Sequence, residues 1–221
     1  MSERTVLTRA FVQARMSSRR FPGKILAPFA GKPIIFCVIE RLAVVIPRNK
    51  LVVLSSTDQS DDPLVSYVEQ LDVPVFRGPL EDVFKRFQLC LQDYPCDFFV
   101  RVCADSPLLD PSILREMMSF EKEQKLDLIT NVFPRTFPKG LSLEILKSET
   151  FSQLATRDLT PAQREHVTKV YYDDSEAFNI FNFKSSRKDR SNMNYSVDTI
   201  EDLHYLQDLF ESNPSHFSSS V

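Results

Sequence analysis

Residues 6–24 read VLTRAFVQARMSSRRFPGK, an apolar run that passes directly into a loop with four cationic side chains. The apolar run predicts a first strand over about 7–13. The loop also carries the first of only four glycines in the chain. Because the net charge of the whole chain is -3, this cationic loop indicates a local anion site, and we expect a polyphosphate as its ligand.

The chain up to residue 132 alternates between predicted strands and helices. Apolar runs predict strands at 51–54, 73–76, 98–102 and 127–132, and helical spacing of apolar residues predicts helices at 34–45, 62–71, 80–91 and 113–118. Residues 55–58 are expected to form the loop after the second strand, and Asp61 or Asp62 is expected to cap the next helix.

This alternation predicts an α/β fold, a three-layer sandwich with a mixed, mainly parallel central sheet. In such a sheet the loops after the first, second and fourth strands share the carboxyl edge, where we expect the ligand. Beyond residue 133 the pattern predicts strands at 141–146, 178–183 and 195–197. It also predicts helices at 148–156, 161–172 and 199–210.

Composition narrows the function classes. A hydrophobic content of 43%, a charged content of 26% and a slightly negative net charge are ordinary for a globular protein and indicate no general affinity for nucleic acid or membranes. No signal peptide and no apolar run of about 18 residues is evident, so we expect a cytoplasmic protein. The four cysteines lack C-x-x-C spacing, which favours reduced thiols over disulfides or zinc.

The cationic loop offers several groups to a phosphate. Gly23 would let the backbone approach the anion closely, and Gln13 at the strand end could contact a base or ribose. The charges and hydroxyls come from Arg15, Arg19, Arg20, Lys24, Ser17 and Ser18. The alternative is a solvated surface loop, and the Walker pattern G-x-x-x-x-G-K-[ST] is absent.

Two aspartates are candidate metal ligands. Asp105 follows the fourth predicted strand, and Asp198 precedes the last predicted helix. Carboxylate oxygens beside a phosphate site suit Mg²⁺. The alternative is that each aspartate only caps the helix that follows it. Arg101, charged within a buried strand, requires either a carboxylate partner in a buried ion pair or access to the site.

Short motifs in a fixed order give the chain a family resemblance. They are QARMSS (13–18), PGK (22–24), GKP (31–33), STD (56–58), VFRG (75–78), RV (101–102), DSPL (105–108), PKGL (138–141), REHVT (164–168), VDT (197–199) and EDL (201–203). With them the chain resembles the cytidylyltransferases that activate acidic sugars, in the branch of spore-coat polysaccharide biosynthesis protein F. The motifs extend almost from end to end, and all four glycines lie within them.

The resemblance implies a nucleotide-diphospho-sugar transferase fold and a Mg²⁺-dependent transfer of CMP from CTP to a sugar, for surface polysaccharide or glycoconjugate synthesis. It implies catalytic roles for Arg15, Lys24, Asp105 and Asp198, with both aspartates as metal ligands. The implied CTP-binding residues are Gln13, Ala14, Arg15, Ser17, Ser18, Arg19, Gly23, Lys24, Ser56, Thr57 and Arg77. The implied sugar-binding residues are Arg101, Gly140, Glu144, Arg164 and His166, although a purely structural role is equally open for His166.

The resemblance also implies a division of the chain and a homodimer. We expect a nucleotide-binding core at 1–132, a sugar-site and dimerisation arm at 133–190, a closing strand and helix at 191–211, and a flexible tail at 212–221. Three positions depart from the family pattern, namely Arg19, Cys103 and Ser142, and the last puts the identity of the sugar in doubt. A transferase using another nucleotide or a sugar phosphate, and a non-catalytic nucleotide-binding regulator, are the alternatives.

Overall fold

The computed structural model describes residues 6–122, 125–186 and 189–213. In chain order the elements are β1 (Thr8–Gln13), β2 (Pro28–Phe29), β3 (Lys32–Pro33), α1 (Ile34–Ala43), β4 (Leu51–Ser56), α2 (Asp62–Glu69), β5 (Val75–Gly78), α3 (Val83–Asp93), β6 (Phe98–Cys103), α4 (Pro111–Met118), β7 (Leu128–Thr130), β8 (Glu144–Lys147), α5 (Ser148–Gln153), α6 (Pro161–Glu165), α7 (Lys169–Asp173), β9 (Ile180–Asn182) and α8 (Ile200–Ser212). None of these helices is both long enough and apolar enough to cross a membrane.

A seven-stranded sheet organises the molecule, with strand order β5-β4-β1-β6-β8-β7-β9. Within it β8 runs antiparallel to both of its neighbours, and the other pairings are parallel. The prediction of a mixed, mainly parallel sheet is therefore confirmed. The chain reverses its winding direction at β1, which has β4 on one side and β6 on the other. Such a switch point opens a crevice at the carboxyl edge of the sheet.

The two faces of the sheet bury separate apolar clusters. Along β1, Ala10 and Val12 contribute to one cluster, while Phe11 between them contributes to the other. The first cluster includes apolar residues of α1, α2, α4 and α8, and the second includes those of α3, α5 and α7. In the second cluster the ring centroids of Phe11 and Phe99 lie 5.0 Å apart in a stacked arrangement. Helices therefore cover both faces, as a three-layer sandwich requires.

The segment predicted as a strand at 141–146 starts later than the pattern indicates. β8 begins at Glu144, and the preceding residues are held by the buried side chain of Asn131. Asn131 Nδ2 donates to the Leu141 carbonyl at 2.8 Å, and its Oδ1 accepts from the Leu143 N–H at 2.9 Å. The Asn131 side chain thus makes the hydrogen bonds that a neighbouring strand would otherwise make with these residues.

Two other predictions in the second half of the chain are wrong. The predicted strand at 195–197 is absent. The preceding residue, Asn194, forms an isolated bridge with Lys139, and the Tyr195 N–H donates to the Lys139 carbonyl at 2.7 Å. The single helix predicted at 161–172 is two short helices, because the chain turns at His166 and at Val167, whose φ is 25°. The structure also contains a short β2–β3 hairpin, whose turn has positive φ at Ala30 and Gly31.

The proposed division of the chain at residue 132 stays a prediction. Most of the expected tail, residues 214–221, lies outside the described residues. The four cysteines are free thiols, of which Cys90 is buried and the other three are partly buried.

Candidate active site

The cationic loop closes on itself through one carbonyl group. The Met16 carbonyl accepts hydrogen bonds from the N–H groups of Ser18 and Gly23, at 2.9 and 2.8 Å. Gly23 adopts a φ of 77° immediately before a short 3-10 turn, Lys24–Leu26. A Cβ at position 23 would meet only the Met16 Cε atom, at 3.6 Å. The structure therefore requires glycine here for its left-handed backbone conformation.

A buried carboxylate anchors the start of this loop. Asp61 is fully buried, and its Oδ1 accepts from the Met16 N–H at 2.7 Å. Its Oδ2 accepts from the hydroxyls of Ser55 and Ser56 and from the Ser56 N–H, at 2.9, 2.5 and 2.9 Å. Asp61 thus ties the cationic loop to the end of β4.

These contacts correct three predictions about the end of β4. Asp61 makes no side-chain cap of α2. Ser55 and Ser56 belong to the strand rather than to a loop. Because Ser56 is fully buried and its hydroxyl is bound to Asp61, it leaves no exposed group to contact a nucleotide.

Lys24 joins the two predicted metal-binding aspartates. Its side chain is largely buried, and its Nζ donates to Asp105 Oδ2 at 2.8 Å and to Asp198 Oδ1 at 3.1 Å. The third donor position is used by the Val197 carbonyl, at 2.7 Å. The loop after β1, the loop after β6 and the segment before α8 therefore meet at one ammonium group. This is the carboxyl edge at which the sequence placed the ligand.

Asp198 is surrounded by cations. Lys139 Nζ and Arg20 Nη2 contact its Oδ2 at 2.6 and 2.9 Å, in addition to Lys24 on the other oxygen. Burial raises the pKa of Asp198, but hydrogen bonds from Lys139 and Lys24, together with their charges, outweigh burial and lower the pKa to about 2. Asp198 is therefore a carboxylate at any physiological pH.

Asp105 and Asp198 do not cap the helices that follow them, because other residues form those caps. Thr199 caps α8 in a capping box with Asp202, and Asp110 caps α4. The carboxyl groups of Asp105 and Asp198 face Lys24 instead.

Gly140 brings Lys139 to this centre. A Cβ on Gly140 would lie 2.3 Å from the Tyr195 carbonyl carbon and 2.6 Å from the Ser196 nitrogen. Only glycine permits this approach, and its φ is 91°. The sequence interpretation placed Gly140 against the sugar, whereas its observed contacts are with the backbone that leads to Asp198.

A second group of predicted residues forms a buried polar network beside Lys24. Arg101 Nη1 contacts Glu144 Oε2 at 2.5 Å across the β6–β8 pair, and its Nη2 donates to Gln13 Oε1 at 3.1 Å. Of the two alternatives left open for Arg101, the structure shows the buried ion pair, while its role in sugar binding stays a prediction. Tyr172 completes the network by donating to Glu144 Oε1 at 2.5 Å. Burial and the charge of Glu144 raise the pKa of Tyr172, so the phenol stays protonated.

The other predicted residues fall into two groups. Arg77 supports the loop after β4, because its guanidinium donates to the carbonyls of Ser56 and Asp58 and pairs with Asp62. Arg164 pairs with Asp82, which caps α3, at 2.7 Å. The exposed or partly exposed side chains are those of Arg15, Ser17, Ser18, Arg19, Thr57 and His166, whereas Ala14 is buried.

Sequence reasoning missed the roles of two residues. Lys139 lay within a quoted motif without being recognised as a contact of Asp198, and no spacing rule connects positions 59 residues apart. Asp61 was interpreted as a cap because it precedes a helix, which is the commonest place for such a residue. Its burial, which only the fold determines, is what assigns it to the loop.

The residues at this centre fit a Mg²⁺ ion. Two carboxylates supply hard oxygen donors, and Mg²⁺ in nucleotide sites takes one or two carboxylates together with phosphate oxygens. Within residues 6–122, 125–186 and 189–213 no group of three acidic, histidine or cysteine side chains forms a candidate metal site. The donor set therefore suits a metal shared with a bound phosphate rather than a closed protein site.

Comparison with known proteins identifies the family of this chain. A family model described as cytidylyltransferase matches residues 10–220. The spore coat polysaccharide biosynthesis protein SpsF of Bacillus subtilis is 24% identical over 206 residues, covering 90% of this chain and 85% of that protein. The 3-deoxy-manno-octulosonate cytidylyltransferase of Yersinia pseudotuberculosis is 34% identical over 113 residues, covering 49% of this chain and 43% of that protein.

A solved structure agrees over the whole chain. It is a cytidylyltransferase from Leptospira borgpetersenii, 28% identical, which superposes with a TM-score of 0.86 and covers 98% of this chain and 99% of that chain. Since the family model spans nearly all of the sequence, the chain belongs to the cytidylyltransferase family.

Proposed function

We propose that this enzyme transfers CMP from CTP to a hydroxyl group of an acidic sugar and releases pyrophosphate. The observation that carries the proposal is the Lys24 ammonium, which joins Asp105 and Asp198 beside a cationic loop in a member of the cytidylyltransferase family. The sugar nucleotide would serve surface polysaccharide or glycoconjugate synthesis in the cytoplasm.

The charges of the site favour a polyphosphate. Within the described residues Lys24, Lys139 and Arg20 contact two carboxylates, so these contacting groups carry a net positive charge. Arg15 and Arg19 on the same loop add to it. A triphosphate would neutralise this excess, and its oxygens can accept from the loop N–H groups and guanidinium groups.

We further propose that Asp105 and Asp198 hold Mg²⁺ together with the nucleotide. A bound Mg²⁺ supplies charge neutralisation on the phosphate oxygens. The side chains of the protein do the rest of the positioning. Lys24 hydrogen-bonds both carboxylates and so fixes their relative position, while Lys139 and Lys24 lower the pKa of Asp198.

The reaction that fits these groups is an in-line displacement at the α-phosphorus. The oxygen of the sugar hydroxyl forms the new bond to phosphorus, the bond to the pyrophosphate oxygen breaks, and the hydroxyl proton is lost to solvent. Such reactions depend mainly on positioning and on stabilisation of negative charge, which this set of cations provides.

The names of two relatives bear on the acceptor. The name of the Yersinia relative specifies a sugar acid, and that of the Bacillus relative a coat polysaccharide. The first of these names favours an acidic sugar.

The decisive experiment compares nucleotides and one pair of aspartate variants. We expect pyrophosphate release from CTP with an acidic sugar, and at least tenfold less from UTP, GTP or ATP. Asp105→Asn should lower turnover on the order of 100-fold or more. The matched control is Asp110→Asn, which keeps the α4 cap because an asparagine side chain also accepts from the Ser112 N–H, and which should retain stability and turnover. Release that is equal for all four nucleotides, or equal in the two variants, would contradict the proposal.

A further inference from the structure

Arg135 lies on the connection between β7 and β8, facing the polar network of Arg101 and Glu144. Its Nη1 donates to Ser142 Oγ at 3.0 Å and approaches the Pro138 carbonyl at 3.5 Å. The side chain is partly buried, and both of these partners are neutral. These contacts hold the guanidinium against the connection that carries it, but they do not neutralise its charge.

No carboxylate in the described part of the chain forms an ion pair with Arg135. The nearest acidic influence is that of Glu144, but both Glu144 oxygens are already bound, one by Arg101 and the other by Tyr172. Burial lowers the pKa of Arg135, and the charges of Glu144 and Tyr172 only partly oppose this effect. A half-buried cation of this kind favours an external anion.

The guanidinium keeps one edge available. Among the described residues its Nε and Nη2 donate to no protein group, and neither belongs to the buried polar atoms that lack a partner. These two N–H donors retain access to solvent. Two parallel donors on one edge match the two oxygens of a carboxylate.

The surroundings of Arg135 also suit a sugar. Phe133, 40% exposed, stacks on Tyr172 with ring centroids 4.8 Å apart, which provides an apolar surface beside the cation. The same connection carries Lys139, whose Nζ contacts Asp198 at the transfer centre. Arg135 thus contacts the carbonyl of Pro138, the residue next to Lys139, and one connection carries both cations.

We propose that Arg135 binds the carboxylate of the acceptor sugar and determines the preference for acidic over neutral acceptors. Ser142 permits this role because its hydroxyl orients the guanidinium without adding a negative charge. The inference rests on the proposed function, since it concerns the second substrate of the same reaction.

The test compares acids with their uncharged counterparts. The probes are 3-deoxy-manno-octulosonate against its methyl ester, and glucuronate against glucuronamide. Each probe is titrated calorimetrically into the full chain in the presence of Mg²⁺ and a non-hydrolysable CTP analogue. The same probes are used as acceptors in the pyrophosphate assay. We expect the wild type to prefer at least one acid over its neutral partner by tenfold or more.

Three variants and one control test whether Arg135 causes the preference for the acid. Arg135→Gln should abolish the preference and raise KM for the acid at least tenfold, with the KM for CTP changed less than twofold. Arg135→Lys should restore part of the preference, because it keeps the charge. Ser142→Asp should weaken acid binding, because the new carboxylate pairs with Arg135. Arg115→Gln, an exposed change on α4, should match the wild type.

Several results would overturn the inference. They are a wild type that binds acids and neutral partners equally, an Arg135→Gln variant that retains the preference, and a loss of CTP affinity as large as the loss of acid affinity. Failure of the proposed function is recognised separately, as absence of pyrophosphate release from CTP with every acceptor. The calorimetric preference would still decide the role of Arg135 in that case.

Discussion

At the scale of single residues, Lys24 determines the electrostatics of the site. Its side chain is almost excluded from solvent, and its ammonium lies 2.8 and 3.1 Å from two carboxylates that come from distant parts of the chain. Two aspartates held this close would repel each other without an intervening cation. The lysine therefore organises the site before any nucleotide arrives.

We predict that Lys24→Met lowers kcat on the order of 100-fold and reduces thermal stability, because it leaves two neighbouring carboxylates uncompensated. Steady-state pyrophosphate release and a thermal melt measure the two effects. Lys85→Met, at an exposed lysine of α3, is the control and should change neither. Equal activity of the two variants would remove Lys24 from the transfer centre.

Glu121 gives the stability of the protein a pH dependence. Its Oε2 accepts from the Thr8 hydroxyl, while its Oε1 is buried and has no partner among the residues that the structure describes. Burial raises the pKa of Glu121 to about 7. Between the ordinary pKa of 4.5 and about 7, the unfolded chain releases this proton before the folded one does. Stability therefore falls as the pH rises through this range, and the penalty is complete above it.

We predict that Glu121→Gln stabilises the protein at pH 8, by an amount up to the order of 3 kcal/mol, and has little effect near pH 4.5. Urea unfolding at the two pH values measures the difference. Glu116→Gln, on an exposed position of α4, serves as the control. Unfolding curves that shift equally at both pH values would show that Glu121 does not titrate in this range.

At the scale of elements, apolar periodicity predicted most of the first half of the molecule. The runs that became β1, β4 and β6 are largely buried on both faces, and such strands are recognisable from composition alone. In the second half, elements are short and depend on distant partners. Asn131 determines where β8 begins, and a single glycine determines how residues 138–140 pack against 195–196. Local sequence patterns contain neither piece of information.

Gly140 and Gly31 form a matched pair of test positions. Both have positive φ, but a Cβ at Gly31 would meet nothing within 4 Å. We predict that Gly31→Ala costs about 1 kcal/mol and leaves CTP transfer intact, because only its backbone conformation is strained. Gly140→Ala should cost more and lower activity at least tenfold, because the Tyr195 backbone must move and Lys139 moves with it. Unfolding and turnover measurements on both variants distinguish strain from displacement.

At the scale of the whole molecule, the site was predictable in part. The sequence identified the cationic loop, both aspartates and their shared edge, since these follow from strand order and charge. It could not show that Asp61 anchors the loop or that Lys139 reaches Asp198, because both contacts depend on how separate segments pack in three dimensions.

The oligomeric state remains a prediction for the whole molecule. We expect a homodimer formed through the segment 133–190, as the family resemblance implies. Light scattering at micromolar concentration should give twice the mass of one chain. Deletion of the tail from residue 214 should leave the protein dimeric. A monomeric mass across this range would exclude the dimer.

The reversed direction of β8 brings the connection that carries Arg135 to the same edge of the sheet as the cationic loop. Because β8 is antiparallel, the long connection between β7 and β8 emerges at the same edge as the loops after β1 and β6. The nucleotide loops are built on the parallel strands, whereas Arg135, Lys139 and Ser142 belong to a hairpin connection whose length the sheet does not constrain. Exchange of residues 132–138 would therefore alter the choice of acceptor and leave the groups that bind the triphosphate intact.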